Sequence, residues 1–308
     1  MEFFHKSVLF SECIDNLAIN KNGTYIDATM GGAGHSSGIC GKLSENGMFI
    51  GVDRDEEAFK VAKERLEKYN CQKKFIRANF CDIKEHYVGK ADGILADLGV
   101  SSYQLDNKDR GFTYRENSIL DMRMDKTSPL SAKEVVNEYS FKELMRIISV
   151  YGEEKYAKNI ASNIVKQREI KPIETTDELT EIIKRSMPYK STKEKHPSKR
   201  TFQAIRIEVN DELGSLKKGL ESFFDLLNVG GRMCIITFHS LEDRIVKEYF
   251  KSLVDVCTCP KDFPVCICNN KPKAKLITRK PIVPTESELE ENPRSKSAHL
   301  RVIEKISE

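Results

Sequence analysis

The chain predicts an α/β fold with a parallel sheet and an inserted all-α domain, on three observations. Short apolar runs alternate with helix-patterned segments over the first hundred residues. A glycine-rich turn, Met30-Gly31-Gly32-Ala33-Gly34-His35, stands between the first such run and the helix that follows it. The alternation stops at about Asn107 and resumes only near Asp211, with helix-patterned sequence between.

Residues 24–28 read as the first strand, and the glycine turn leads into a helix reaching about 43. A second strand over 48–52 feeds a helix over 55–69, where Ala58, Val61, Ala62, Leu66 and Tyr69 share one face. Strands follow at 74–77 and 93–97. Helices are then expected over 131–138, 141–150, 153–168 and 176–186, with stops at Gly152 and Pro188. Sheet rhythm returns with a helix over 211–227 closed by Gly230-Gly231, a strand over 232–237 and a helix over 241–253. Segments 275–278 and 299–304 are further strand candidates. The simplest organisation is a sheet domain from 1–106 and 198–308, interrupted by a helical domain over 107–197. The segments on either side of the insert then belong to one sheet.

Composition narrows the class of protein. A hydrophobic fraction of 39% with 31% charged residues describes a soluble globular chain. No apolar run approaches the roughly 20 residues that span a bilayer. The start, Met1-Glu2-Phe3-Phe4-His5-Lys6, has no secretory h-region, so a cytoplasmic protein with no membrane partner is expected. A net charge of +3 permits a nucleic-acid partner without arguing for one. Of nine cysteines, Cys13, Cys40, Cys71, Cys81 and Cys234 are scattered, which suits reduced thiols. Cys257, Cys259, Cys266 and Cys268 are clustered, either as four zinc thiolates or as a loop of free thiols. Their Cys-x-Cys spacing is tighter than the usual Cys-x-x-Cys, so no metal ligand is assigned.

A strand, a glycine turn and a helix start together make a nucleotide signal. Glycines let the backbone approach a ligand, and the helix N-terminus favours electron-rich groups. Asp53 ends the second strand, where a carboxylate can accept both ribose hydroxyls of an adenosine. These features suit NAD as well as S-adenosylmethionine. The string Gly32-Ala33-Gly34-His35-Ser36-Ser37 puts serine where the NAD fingerprint has its third glycine or alanine. Phe80 follows the third strand and either covers an adenine face or is a core phenylalanine. Asp97 ends the fourth strand, where it either faces a sulfonium or amino group or caps a loop. Together they tilt the choice toward S-adenosylmethionine.

The chain also resembles a known family along nearly its whole length. The strings His5-Lys6-Ser7-Val8-Leu9, Asp27–His35, Asp53-Arg54-Asp55, Asp92–Ser102 and Gln104-Leu105-Asp106 are similar to the bacterial ribosomal RNA small-subunit methyltransferase H family. So are Arg110-Gly111-Phe112, Leu120–Asp125, Tyr151–Glu154, Thr201–Ile207, Phe238–Lys247 and Asn292–Ala298. The resemblance implies a class I S-adenosylmethionine-dependent methyltransferase (Rossmann-like) fold with an inserted all-α domain that recognises substrate. It implies methylation of the exocyclic N4 amine of a cytidine in the decoding region of small-subunit (16S) ribosomal RNA. Its cofactor positions fall on Ala33, Gly34, His35, Asp53, Phe80, Asp97 and Gln104. Partners implied are small-subunit ribosomal RNA or the small ribosomal subunit, and a homodimer is compatible with the chain. Two positions depart from the family. Ala33 replaces a frequent glycine and is tolerated if its φ is negative, and Lys296 replaces a frequent arginine.

A cytosine amine is a poor nucleophile, so transfer needs alignment and an acceptor beside the nitrogen. Asp97 and His239 are the candidate catalytic residues. Asp97 either accepts from the amine or only holds the cofactor. His239 either reaches the substrate or starts a helix, since Ser240-Leu241-Glu242-Asp243 reads as a capping box. The Asp97–Ser102 loop carries no cysteine, which disfavours the covalent route used at cytosine C5. Lys193, Lys195, His196, Lys199 and Arg200, with Arg294, Lys296 and Arg301 near the end, are candidate phosphate contacts. Phe112, Tyr114 and Phe202 are candidates for stacking on a base, with core packing the alternative.

Overall fold

The computed structural model describes residues 7–188, 196–256, 259, 268 and 270–308, and divides them into two compact units. The first unit joins Met1–Gly99 to Leu213–Glu308. Its sheet has seven strands: β1 (Thr24–Asp27), β2 (Met48–Asp53), β3 (Gln72–Arg77), β4 (Ala91–Asp97), β5 (Leu227–Thr237), β6 (Ala274–Leu276) and β7 (His299–Lys305). Their order is β3-β2-β1-β4-β5-β7-β6. β1 to β5 run parallel, and β7 is antiparallel to both its neighbours. The order reverses between β1 and β4, so their carboxyl ends open the crevice where such sheets take ligands.

Period-two alternation along these strands fills both faces. Ile26, Ile50, Ile94 and Ile235 pack with Leu220, Phe223 and Phe250 on one side. Tyr25, Phe49, Leu95 and Cys234 pack with Ile14, Ile39 and Leu66 on the other. The Phe10–Asn16 helix supplies Ile14 and was not foreseen from sequence, being seven residues long. β4 and β5 pair as neighbours although the whole second unit separates them in the chain.

Gly230-Gly231 does not close a helix. The Glu212–Leu226 helix ends earlier, and both glycines fall inside β5, where its register against β4 slips between Ala91 and Gly93. Gly230 there has a φ of 87°. The helix end is closed instead by Lys305 of β7, only 2% exposed, whose Nζ donates to the carbonyls of Phe224 (3.3 Å) and Leu227 (2.9 Å). A cation at a helix carboxyl end satisfies orphan carbonyls and complements the macrodipole.

The second unit runs Val100–Glu212, wider than the 107–197 expected. The reason is the Lys199–Asn210 helix, whose Phe202, Ile205 and Val209 enter the same core as Val135, Leu144, Ile147, Ile160 and Ile183. Asn210 ties its end down by accepting from the Met124 amide and donating to the Met122 carbonyl, both at 2.8 Å. Three helices begin in reciprocal capping boxes, Ser131 with Glu134, Ser140 with Glu143 and Thr175 with Glu178. The helix expected from 153 starts at Ala157, because Glu153 takes a left-handed φ of 48° after Gly152.

The turn after β1 is a strained element of the first unit, as are Leu9 and Ala18 with their positive φ. The Met30 amide donates to the Val52 carbonyl and the Ala33 amide to the Met30 carbonyl. Gly31 and Ala33 both have positive φ, 48° and 61°. The expectation of a negative φ at Ala33 is therefore corrected: the turn needs a left-handed residue immediately before the Gly34–Lys42 helix, and alanine holds it at a cost of about 1–2 kcal/mol. Gly34 leaves room for a different neighbour, since a Cβ there would lie 1.8 Å from Ser7 Oγ and force that hydroxyl to move.

Two outcomes follow for stability. Lys305→Met should lower the unfolding free energy by about 2–3 kcal/mol by orphaning two carbonyls, read as a lower urea midpoint. An unchanged midpoint would remove the capping role. Ala33→Val should cost more than about 2 kcal/mol, because a β-branched residue tolerates left-handed φ worse than alanine. Ala33→Gly should stay within about 1 kcal/mol of the parent, with relieved strain offset by lost burial and added chain entropy. Thermal unfolding of the pair checks this ordering.

Candidate active site

The carboxyl ends of β1, β2 and β4 bring three carboxyl groups, Asp27, Asp53 and Asp97, around the glycine turn. Asp27, 1% exposed, accepts from Ser36 Oγ at 2.6 Å and from the Thr29 amide at 3.2 Å. Burial pushes its carboxyl up to about 6. Asp53 accepts from the Gly31 amide through Oδ2 (2.7 Å) and from the Asp55 amide through Oδ1 (2.8 Å). Those two bonds fix the plane of its carboxylate and tie the end of β2 to the turn.

Asp97 is the least satisfied of these groups. Its amide donates to Thr29 Oγ1 at 2.6 Å, yet its own Oδ1 is buried with no hydrogen-bond partner. Burial, then the neighbouring charges of Asp27 and Glu242, raise its carboxyl to about 8. His35 faces it, with Nδ1 at 3.7 Å from Oδ2. This contact is not an ion pair at neutral pH. Burial lowers the imidazole to about 4, so His35 is neutral there while Asp97 holds a proton. His35 Nε2 lies 3.0 Å from the Val8 carbonyl and donates to it, leaving Nδ1 as an acceptor toward Asp97. Phe10 stacks on the imidazole with centroids 6.1 Å apart.

Phe80 opens the short turn after β3 and is half-buried. It leans on Phe223 at 5.8 Å and over Gly219, where a Cβ would meet its ring at 2.6 Å. Contacts through Gly31, Thr29 and His35 thus bring the turn residues Ala33, Gly34 and His35 together with Asp53 and Asp97, and Phe80 lies in the same unit. Asp27, Thr29 and Ser36 join them and were not singled out from sequence. A polar residue ending a buried strand, immediately before a glycine turn, was the available signal.

His239 caps the Ser240–Val254 helix, one position earlier than the capping box was placed. Its Nδ1 accepts from the Glu242 amide at 3.4 Å, and its Nε2 stands 3.2 Å from Glu242 Oε1. Glu242 in turn accepts from the Phe238 amide at 2.8 Å. Gln104 belongs to the second unit, where it is buried and accepts from the Ser101 amide at 3.1 Å.

The expected nucleic-acid contacts divide. Phe112 and Phe202 are core residues, and Tyr114 alone of the three is partly open. Arg301 is spent on Asp243 through two bonds of 2.7 and 2.9 Å within the first unit, which removes it from the phosphate set. His196, Lys199, Arg200, Arg294 and Lys296 are exposed. Lys193, Lys195, Cys257 and Cys266 lie outside the described residues, and with them the zinc alternative.

A buried carboxylate oxygen without a donor, beside a tight turn at the sheet's switch point, fits a ligand carrying positive charge or an amine. The oriented Asp53 fits a ribose, and the half-open Phe80 ring fits a flat base. The residues present thus suit S-adenosylmethionine.

Comparison with known proteins agrees. The family model described as the MraW methylase family matches residues 2–306. The chain is 56% identical to the ribosomal RNA small subunit methyltransferase H of Clostridioides difficile (strain 630), covering 99% of this chain and 100% of that one. It is 57% identical to ribosomal RNA small subunit methyltransferase H 2 of Agathobacter rectalis, covering 99% of each. A Streptococcus mutans putative methyltransferase solved in complex with SAH aligns over 98% of this chain and 99% of its own, with 12% identity and a TM-score of 0.47. The sheet order observed here, with β7 antiparallel, is that of class I methyltransferases using S-adenosylmethionine. From its first strand to its last, the chain belongs to the MraW methylase family.

Proposed function

We propose that this chain methylates the exocyclic N4 amine of a cytidine in the decoding region of small-subunit (16S) ribosomal RNA. The observation that carries the chemistry is the buried, donorless Oδ1 of Asp97 at the mouth of β4. The ribosomal RNA substrate is supported by the names of relatives more than half identical over their whole length. The cytidine N4 position and the decoding region rest on the motif resemblance alone.

When bound, S-adenosylmethionine supplies an electrophilic methyl group on a sulfonium. The chain's residues do the rest. Asp53, held by two backbone amides, accepts the ribose hydroxyls. Phe80 presents its free face to the adenine, while Ala33, Gly34 and His35 let the backbone come close. Asp97 Oδ1 accepts from the amine and favours a pyramidal nitrogen, then takes the proton that nitrogen loses. A carboxyl raised toward neutral suits that task. We assign this role to Asp97 over His239, because His239 Nδ1 is occupied as the cap of its helix, and Asp97 ends β4 against the glycine turn. The second unit, Val100–Glu212, recognises the RNA.

Incubating unmodified small subunits with labelled methyl donor, then digesting to nucleosides, should yield N4-methylcytidine. Label in any other nucleoside, or none, would overturn the assignment. Asp97→Asn should abolish turnover and weaken S-adenosylhomocysteine binding by at least tenfold in calorimetry.

The pH dependence has a definite sign. Below about pH 8 the free carboxyl holds its proton, and a cationic ligand favours the ionised form. Affinity for S-adenosylmethionine should therefore rise with pH up to about 8 and flatten above it, and Asp97→Asn should remove the slope. The folded-state value lies above the unfolded one, so this group destabilises the ligand-free chain progressively between about pH 4 and 8. Asp97→Asn should accordingly raise the thermal midpoint more at pH 8 than at pH 5. Equal shifts at both would show that Asp97 is not protonated in the free protein.

A further inference from the structure

The second unit carries a surface aromatic stack that the transfer chemistry leaves unused. Tyr114 and His196 lie ring over ring, with centroids 4.2 Å apart and planes 25° from parallel. Phe202 meets Tyr114 edge-on at 5.6 Å and 83°, and is itself only 3% exposed. The stack is therefore anchored on the core of its unit, while the imidazole is exposed to solvent. His196 Nδ1 accepts from the Ser198 amide at 3.3 Å, which sets the ring plane and leaves the proton on Nε2. Partial burial, then the charges of Lys184 and Arg115, hold this imidazole below its usual range, so it is neutral at pH 7. The ring thus offers a flat apolar face with a single outward donor.

Among the described residues, the charges that act on it are those of Lys184 and Arg115. Arg115 makes no ion pair among the described residues. Lys184 shares its charge with Glu181 at 2.8 Å, an exposed pair that a phosphate can displace. A ring stack that only closed over the core would not need an exposed imidazole flanked by two cations. A flat face beside positive charge is what unpaired bases and their phosphates require.

We infer that the Tyr114–His196 stack is a platform for an unpaired base of single-stranded RNA, with Arg115 and Lys184 taking the adjoining phosphates. The inference rests on the ribosomal RNA reading above and locates one RNA contact within the second unit. It also gives His196 and Tyr114 a different part from Phe112 and Phe202, which the core absorbs.

The test is fluorescence anisotropy with a short fluorescein-labelled, cytidine-containing single-stranded RNA, titrated at several salt concentrations. His196→Ala should weaken binding by roughly 5- to 100-fold, the loss of one stacked base. Tyr114→Phe should bind as the parent does, and Tyr114→Ala should lose as much as His196→Ala. Arg115→Ala should flatten the dependence of log affinity on log salt by about 0.7, one single-strand phosphate contact. Calorimetry with S-adenosylhomocysteine should be unchanged in His196→Ala and Arg115→Ala, which shows that the fold is intact. If those two variants bind RNA with parent affinity and salt dependence while the parent methylates small subunits, the platform is wrong and the function stands. If the parent neither binds this RNA nor methylates small subunits, the ribosomal RNA reading falls and takes the platform with it.

Discussion

The first unit is organised around two carboxylates at the ends of adjacent parallel strands, Asp27 fully buried and Asp97 partly so. Asp27 ends β1 and Asp97 ends β4; burial raises both carboxyls, and the charge of Asp27 raises that of Asp97 further. Two such groups are tolerated only because the chain satisfies most of their oxygens. Ser36 and the Thr29 amide serve Asp27, while Thr29 Oγ1 holds the backbone of Asp97. Thr29 therefore couples the two strand ends through one residue. What remains unsatisfied between them is one oxygen of Asp97, the atom on which the proposed function rests.

The glycine turn exists to make that arrangement close-packed. Its backbone has to leave β1, reach the end of β2 through the Gly31–Asp53 bond, and enter a helix within a few residues. Positive φ at Gly31 and Ala33 is the geometric consequence. Ser7 packs where a Cβ on Gly34 would stand, and Val8 accepts from His35, so the start of the described chain closes over the turn. His35 consequently acts from beneath the site: a neutral ring that holds the chain start on one nitrogen and faces Asp97 with the other.

Elsewhere the fold spends charged and polar side chains on structure. Lys305 closes a helix, Arg301 pairs with Asp243 inside the first unit, and Asn210 pins a helix end in the second. Of these, Arg301 was expected from sequence to contact phosphate. Each is a buried polar group held by specific acceptors, as low dielectric requires. The surviving exposed cations and the Tyr114–His196 stack are correspondingly few, which sharpens where RNA contact is to be sought.

The sequence by itself determined the alternation of strands and helices, the glycine turn, the acidic strand ends and the existence of a helical insert. These are local properties: period-two and helical patterning, turn chemistry, and capping boxes such as Ser140 with Glu143 are written within a few residues of one another. Motif order along the chain added the family, and with it the cofactor. Tertiary structure alone decided what depends on distant partners. Whether Ala33 is left-handed depends on Met30 meeting Val52; whether Asp97 is protonated depends on Asp27 and on burial beneath His35. The extent of the second unit depends on the Lys199–Asn210 helix turning its apolar face to helices earlier in the chain. Burial and through-space charge are not local in sequence, and for that reason neither could be read from it.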